Sequence, residues 1–156
     1  MKNTVFNKNV YIEYPDSFYE MNADEMRSYF AGDMLRFGAR DAEKHIVLSV
    51  GKTKDSIANL VTDAKSVLAG AESSLKKGLL GFTRTGEFEA EILGGTARGI
   101  RFEYNAANSG ARQFCEMAIV KSKRSFYAVY CMSPLDGKEE NASLFASFRD
   151  SLKFVK

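Results

Sequence analysis

His45 is the only histidine in the chain, and so the only side chain whose ordinary pKa lies near neutrality. A metal centre built around it would need several thiolate or carboxylate ligands at ligand spacing, and the sequence contains no such cluster. Nor does it contain the Gly-x-Ser-x-Gly elbow of a serine hydrolase. His45 is therefore read as a residue at the start of a strand. Glu87, Glu89 and Glu91 alternate and could offer an acidic surface to calcium or to a basic partner. Alternation spreads them along one strand face instead of converging them on an ion, so they read as a solvated face partly neutralised by Arg101. Lys121, Lys123 and Arg124 crowd a turn and could touch phosphate. Without a wider basic face or exposed stacking aromatics they read as a solubilising turn. Gly94-Gly95 lacks the Lys-Ser/Thr that completes a phosphate loop, and Asn141-Ala142-Ser143 is a glycosylation sequon that needs a secretory route. No catalytic residue, cofactor or metal is expected. An enzyme built on Arg101 and Glu89 ranks last among the functions considered.

Charge and composition narrow the partners further. Twenty-two basic and 20 acidic residues are mixed along 156 positions, for a net charge of +2. Such a chain projects no strong field, so neither nucleic acid nor an acidic membrane is expected as a partner. Twelve Phe and seven Tyr, with no Trp, supply the large core side chains. The first ten residues lack the apolar run of a secretory signal, and no later run approaches the ~18 apolar residues of a membrane span. These features predict a cytoplasmic protein. Cys115 and Cys131 lie in apolar strand-like sequence and are expected to be structural thiols.

The elements that would position these residues follow from periodicity. Val10 to Tyr14 alternates as a strand ending at Pro15-Asp16. A short helix is capped by Asn22, with Glu25 at N3 and Met26, Tyr29 and Phe30 on its apolar side, and it ends at Gly32. Met34 to Arg40 and His45 to Val50 read as strands around the turn Asp41–Lys44. From Asp55 to Leu80 a helical stripe runs through Ile57, Leu60, Val61, Ala64, Val67, Leu68, Ala71 and Leu75, with Lys76 and Lys77 complementing the helix dipole. Four strands follow, over Thr83 to Leu93, Ala97 to Tyr104, Arg112 to Val120 and Ser125 to Met132. A three-residue loop, Gly94-Gly95-Thr96, would set Phe88 opposite Phe102, Ala90 opposite Ile100 and Glu89 opposite Arg101. The last two strands carry apolar residues on both sides, the pattern of a central pair covered on two faces. A final helix, capped by Asp136 with Glu139 at N3, runs to the C-terminus with Leu144, Phe145, Phe148 and Leu152 facing inward. The expectation is a single α+β domain over 1–156: an antiparallel sheet of about six strands, flanked by helices on both faces in an α/β/α sandwich.

Tyr11-Ile12-Glu13-Tyr14-Pro15 with Ser17-Phe18, the turn Gly94-Gly95-Thr96-Ala97, and Phe148-Arg149-Asp150-Ser151-Leu152-Lys153-Phe154 together resemble the PsbP-like superfamily. That superfamily spans the photosystem II extrinsic protein, a Ran-binding nuclear import factor and bacterial type VI effector chaperones. The resemblance covers most of the chain and rests on scaffold features. It implies a non-enzymatic, chaperone-like module that holds a protein partner on its sheet or rim. The alternative expectation is a small-molecule or lipid-binding domain with Tyr104, Tyr127 and Met117 lining a cleft between sheet and helix. Homodimerisation through an edge strand is also compatible with the pattern.

Overall fold

The computed structural model describes residues 1–32 and 34–156. Its strands are β1 (Lys2–Phe6), β2 (Val10–Tyr14), β3 (Tyr19–Glu20), β4 (Leu35–Asp41), β5 (Ile46–Lys52), β6 (Leu80–Ile92), β7 (Gly95–Asn105), β8 (Arg112–Ser122), β9 (Ser125–Pro134) and β10 (Lys153–Phe154). Its helices are α1 (Ala23–Tyr29), α2 (Ala64–Gly78) and α3 (Lys138–Ser151), with a 3₁₀ turn over Ile57–Leu60.

Seven strands form one antiparallel sheet in the order β3-β4-β5-β9-β8-β7-β6, and a second sheet is ordered β1-β2-β10. The fold is thus α+β, with seven strands where about six were expected and a separate small sheet that takes Val10–Tyr14. Strands β5, β8 and β9 are buried almost throughout, as strands covered on both faces must be. One cover is α3 together with β2: Phe145, Phe148, Leu152, Val10 and Ile12 pack on Leu48, Val50, Phe114, Ala118 and Val129. The other is α2 with α1: Leu68, Val67, Ala71, Met26 and Phe30 pack over Phe102, Cys115, Met117, Ile119 and Phe126.

The helix expected from Asp55 to Leu80 is shorter. Asp63 caps a new start, its Oδ1 accepting from the Ser66 amide at 2.8 Å. A side-chain acceptor for an otherwise unpaired amide ends any continuous helix running through that point. Ile57, Leu60 and Val61 consequently leave the stripe and are exposed. The last helix stops at Ser151, because Lys153–Phe154 pair with Tyr11 and Val10 instead of continuing to the terminus. Its N-cap is Gly137 at φ 82°, without a side-chain cap, rather than Asp136.

The β6–β7 register also departs from expectation. The turn residues are Leu93 (φ 53°) and Gly94 (φ 76°), so Ile92 pairs with Gly95, Ala90 with Ala97, Glu89 with Arg98 and Phe88 with Gly99. Two successive left-handed residues make the tight turn whose twist suits a hairpin, at the cost of strain on Leu93. Phe88 then fills the space over Gly99, where an added Cβ would lie 2.4 Å from its ring.

Candidate functional site

At one end of the large sheet, on the α1/α2 face, the two helices leave strand surface uncovered. The resulting cleft, about 680 Å³, is bounded by Tyr29 at the end of α1, Leu79 and Leu80 after α2, Met132 and Pro134 on β9, and the β7–β8 loop. Its aromatic surroundings are an ordered cluster. Tyr130 meets Phe30 edge-on at 5.5 Å and Phe102 at 6.1 Å, Phe82 stacks on Phe102 at 5.1 Å, and Tyr104 lies 6.4 Å from Phe102. Alternation along β7 and β9 delivers Phe102, Tyr104 and Tyr130 to one face; Phe102 is fully buried there, and because α2 stops at Gly78 Tyr104 is left lining the cleft.

The polar groups here are held protonated. Burial raises the Tyr104 hydroxyl, with the Cys115 thiol adding to the effect, and burial raises Tyr130 well above its ordinary value. The Tyr130 hydroxyl donates toward Cys115 Sγ at 3.6 Å, and that of Tyr104 toward Met132 Sδ at 2.9 Å. Burial also raises both cysteine thiols. A buried protonated thiol is a poor nucleophile and a poor ligand, so the cluster packs as core, with Tyr104 and Met132 presenting its edge to the cleft. Cys115 belongs to the α2-side core and Cys131 to the α3-side core, which places the two free thiols on opposite sheet faces.

The structure separates the residues singled out from the sequence. Tyr104 lines the cleft, and Met117 is buried beneath α2 on the same face. Tyr127 lies on the other face, where its hydroxyl accepts from Asn9 Nδ2 at 3.5 Å and its ring meets Phe154 at 5.7 Å. The expected cleft of Tyr104, Met117 and Tyr127 does not form, because neighbouring positions on β9 point to opposite faces. Glu89 pairs with Arg98 at 3.1 Å, and Glu87 with Arg84 at 2.5 Å. Arg101 does not neutralise that ladder. It turns to the α3 side, where its Nε donates to Glu116 Oε2 at 2.8 Å, while Arg149 holds Glu116 Oε1. Both guanidiniums lie on the Phe88 ring, at 4.4 Å for Arg101 and 4.7 Å for Arg149. This buried Arg–Glu–Arg group had no sequence signal beyond a lone glutamate in an apolar strand. Among the described residues no group of three or more His, Cys, Asp or Glu is placed to hold a metal. His45, at φ 58°, ends the β4–β5 turn and lines the rim of the cleft.

No protein-family model matches the chain, and no curated protein matches it in sequence. Solved structures do. The cyanobacterial PsbP of Synechocystis sp. PCC 6803 superposes with a TM-score of 0.67 at 11% identity, over 99% of this chain and 92% of that one. LpqN of Mycobacterium tuberculosis, involved in cell envelope biogenesis, gives 0.62 at 14% identity over 94% and 83% of the two chains. PA94 of Pseudomonas aeruginosa, a protein of unknown function, gives 0.55 at 12% identity over 96% and 94%. No helix among the described residues is long and apolar enough to cross a membrane. A seven-stranded antiparallel sheet between α1/α2 and α3 with a small sheet, superposing on PsbP over nearly its whole length, gives this chain the PsbP-like fold.

Proposed function

We propose that the protein is a non-enzymatic binding module, chaperone-like in action, that holds a segment of a protein partner in the aromatic cleft. The observation that carries this reading is the open cleft beside Tyr104 and Met132 between the ends of α1 and α2, rimmed by Tyr29 (38% exposed) and Leu80 (61% exposed). Leu80 also begins β6, the outer strand of the sheet, so a cleft for side chains adjoins a free strand edge. Peptide-binding domains that add a strand use that combination, with main-chain pairing for affinity and pockets for specificity. The protonated Tyr104 hydroxyl in its wall favours binding over catalysis. A photo-crosslinker in place of Tyr29 should capture a discrete partner that Leu80→Asp abolishes, the variant remaining folded because Leu80 is exposed. Recovery of heat-shock chaperones alone, or capture unaffected by Leu80→Asp, would overturn the reading.

A second reading, a small-molecule or lipid ligand in the same cleft, is favoured by its volume of about 680 Å³, within the range usual for ligand sites. Native mass spectrometry of the purified protein separates the two, since a retained adduct removed by Tyr104→Ala supports the ligand. Our reading includes a cytoplasmic location, and release with the periplasmic or secreted fraction would refute it. A homodimer through the β6 edge is opposed by Glu87, Glu89 and Glu91 along that strand. Sedimentation is therefore expected to show a monomer.

A further inference from the structure

At the opposite end of the large sheet lie features that the cleft does not use. Ile57, Leu60 and Val61 are turned outward at 75%, 49% and 90% exposure. They sit on a fixed ridge. The Ser56 amide and Asn59 Nδ2 donate to the Arg124 carbonyl at 3.1 and 2.7 Å, and Lys121 Nζ donates to the carbonyls of Leu60 and Thr62 at 3.0 and 2.8 Å. The aliphatic turn is thereby clamped against the β8–β9 turn, and the two present one surface.

Beside the ridge is a pocket of about 510 Å³ whose walls include Lys52, Asp55, Lys123, Arg124, Tyr127 and Phe154. Lys52 is engaged by Asp55 at 2.9 Å. Among the described residues, Arg124 is the one arginine whose guanidinium meets no carboxylate, hydroxyl, carbonyl, sulfur or ring, and the Lys123 ammonium has no acidic partner. Lys123 also holds a left-handed backbone (φ 56°) that glycine would adopt without strain. Lys54, exposed beside Asp55, extends the positive charge toward the ridge.

We infer that this end docks on an anionic phospholipid surface. Ile57, Leu60 and Val61 enter the boundary between head groups and acyl chains, Lys54, Lys123 and Arg124 lie against phosphates, and the pocket receives one phosphorylated head group. Aliphatic side chains beside lysine and arginine are the composition of interfacial segments, and the two carboxylates that flank the ridge are engaged, Asp55 by Lys52 and Asp63 by the Ser66 amide. A soluble phosphate would engage the cations and leave the aliphatic ridge without a role. With a net charge of only +2, the attraction is local to this end and is screened by salt. The inference is independent of the cleft reading, which concerns the other end of the sheet.

The test is co-sedimentation of the full chain with vesicles of phosphatidylcholine containing phosphatidylglycerol, against phosphatidylcholine alone. At least about tenfold stronger partition to the anionic vesicles is expected, falling as salt rises. Ile57→Ser with Val61→Ser should lower it roughly tenfold or more, and Lys123→Gly with Arg124→Ala roughly thirtyfold. All four residues are exposed and the glycine suits its backbone, so circular dichroism should be unchanged. Equal partition to neutral vesicles, or indifference to both double variants, overturns the proposal. So does saturable binding of glycerol 3-phosphate in solution that survives Ile57→Ser/Val61→Ser and displaces the protein from vesicles, which would mark a soluble phosphate ligand instead.

Discussion

Replacing Glu116 by glutamine should be among the most destabilising single changes in this protein, although it alters one atom. The Glu116 side chain is 3% exposed, and of its two guanidinium partners Arg149 is 9% and Arg101 36% exposed. Glutamine keeps the shape but withdraws the charge, leaving Arg149 buried without a counter-ion and facing a second cation across the Phe88 ring. Removing one partner of a buried ion pair costs about 3–5 kcal/mol. That is a large share of the roughly 5–15 kcal/mol by which domains are stable. At about 2–4 °C per kcal/mol for a chain of this size, the melting temperature should fall by roughly 10 °C. Arg101→Met should cost only about 1 kcal/mol, since Arg101 keeps solvent on one side. The double variant Glu116→Leu with Arg149→Met, which removes the buried charges together, should recover most of the loss. Urea unfolding followed by circular dichroism reads all four proteins. If Glu116→Gln unfolds within about 1 kcal/mol of the parent, or costs no more than Arg101→Met, the buried triad does not hold α3 to the sheet.

Three further outcomes follow from the same geometry. Gly99→Ala should destabilise by about 1–3 kcal/mol, because the new methyl meets a Phe88 ring pinned by two guanidiniums. Gly38→Ala, whose methyl would meet the flexible side chain of Met26 at 2.4 Å, should cost less in the same denaturation assay. Burial pushes the Asp41 carboxyl up, but amides of Lys44 and Glu43 and the Ser17 hydroxyl outweigh it, so its folded pKa lies below the ordinary value. Its contribution is complete above the unfolded pKa of about 3.9 and is lost as pH falls through the folded value. The stability gap between parent and Asp41→Asn should therefore narrow from pH 5 to pH 2, and a constant gap would refute this. Burial raises both thiols, so Cys115 and Cys131 should react with a thiol reagent only at the rate of global unfolding, while fast labelling of the native protein would contradict the fold.

What the sequence revealed was set by how strongly each position is constrained by solvent. The doubly apolar β8 and β9 could be read as central strands, and Asn22 was found as a cap because its amide partner is local: Glu25 donates to its Oδ1 at 2.9 Å. The β6–β7 turn was misplaced because its first residue is a leucine in a left-handed conformation, a choice propensity argues against. Ile57, Leu60 and Val61 kept helical spacing, yet the Asp63 cap broke the helix and turned them outward. β1 is too polar and β10 too short to stand out from loop sequence. Tyr104, singled out from the sequence, lines the cleft, but its neighbours there come from a helix end and a loop that no periodicity places. Tyr127 was grouped with it because alternation tells which residues share a face and not which helix covers that face.

The six residue pairs joining β5 to β9 bear on how quickly this chain finds its fold. Each half of the sheet, β3–β5 and β6–β9, is assembled from near neighbours in sequence, while the seam between them closes a loop of about 75 residues. By loop-closure entropy that single junction costs about 4 kcal/mol before any contact repays it. The two halves can therefore pair internally well before they meet, and the search for the seam is the step that topology makes slow.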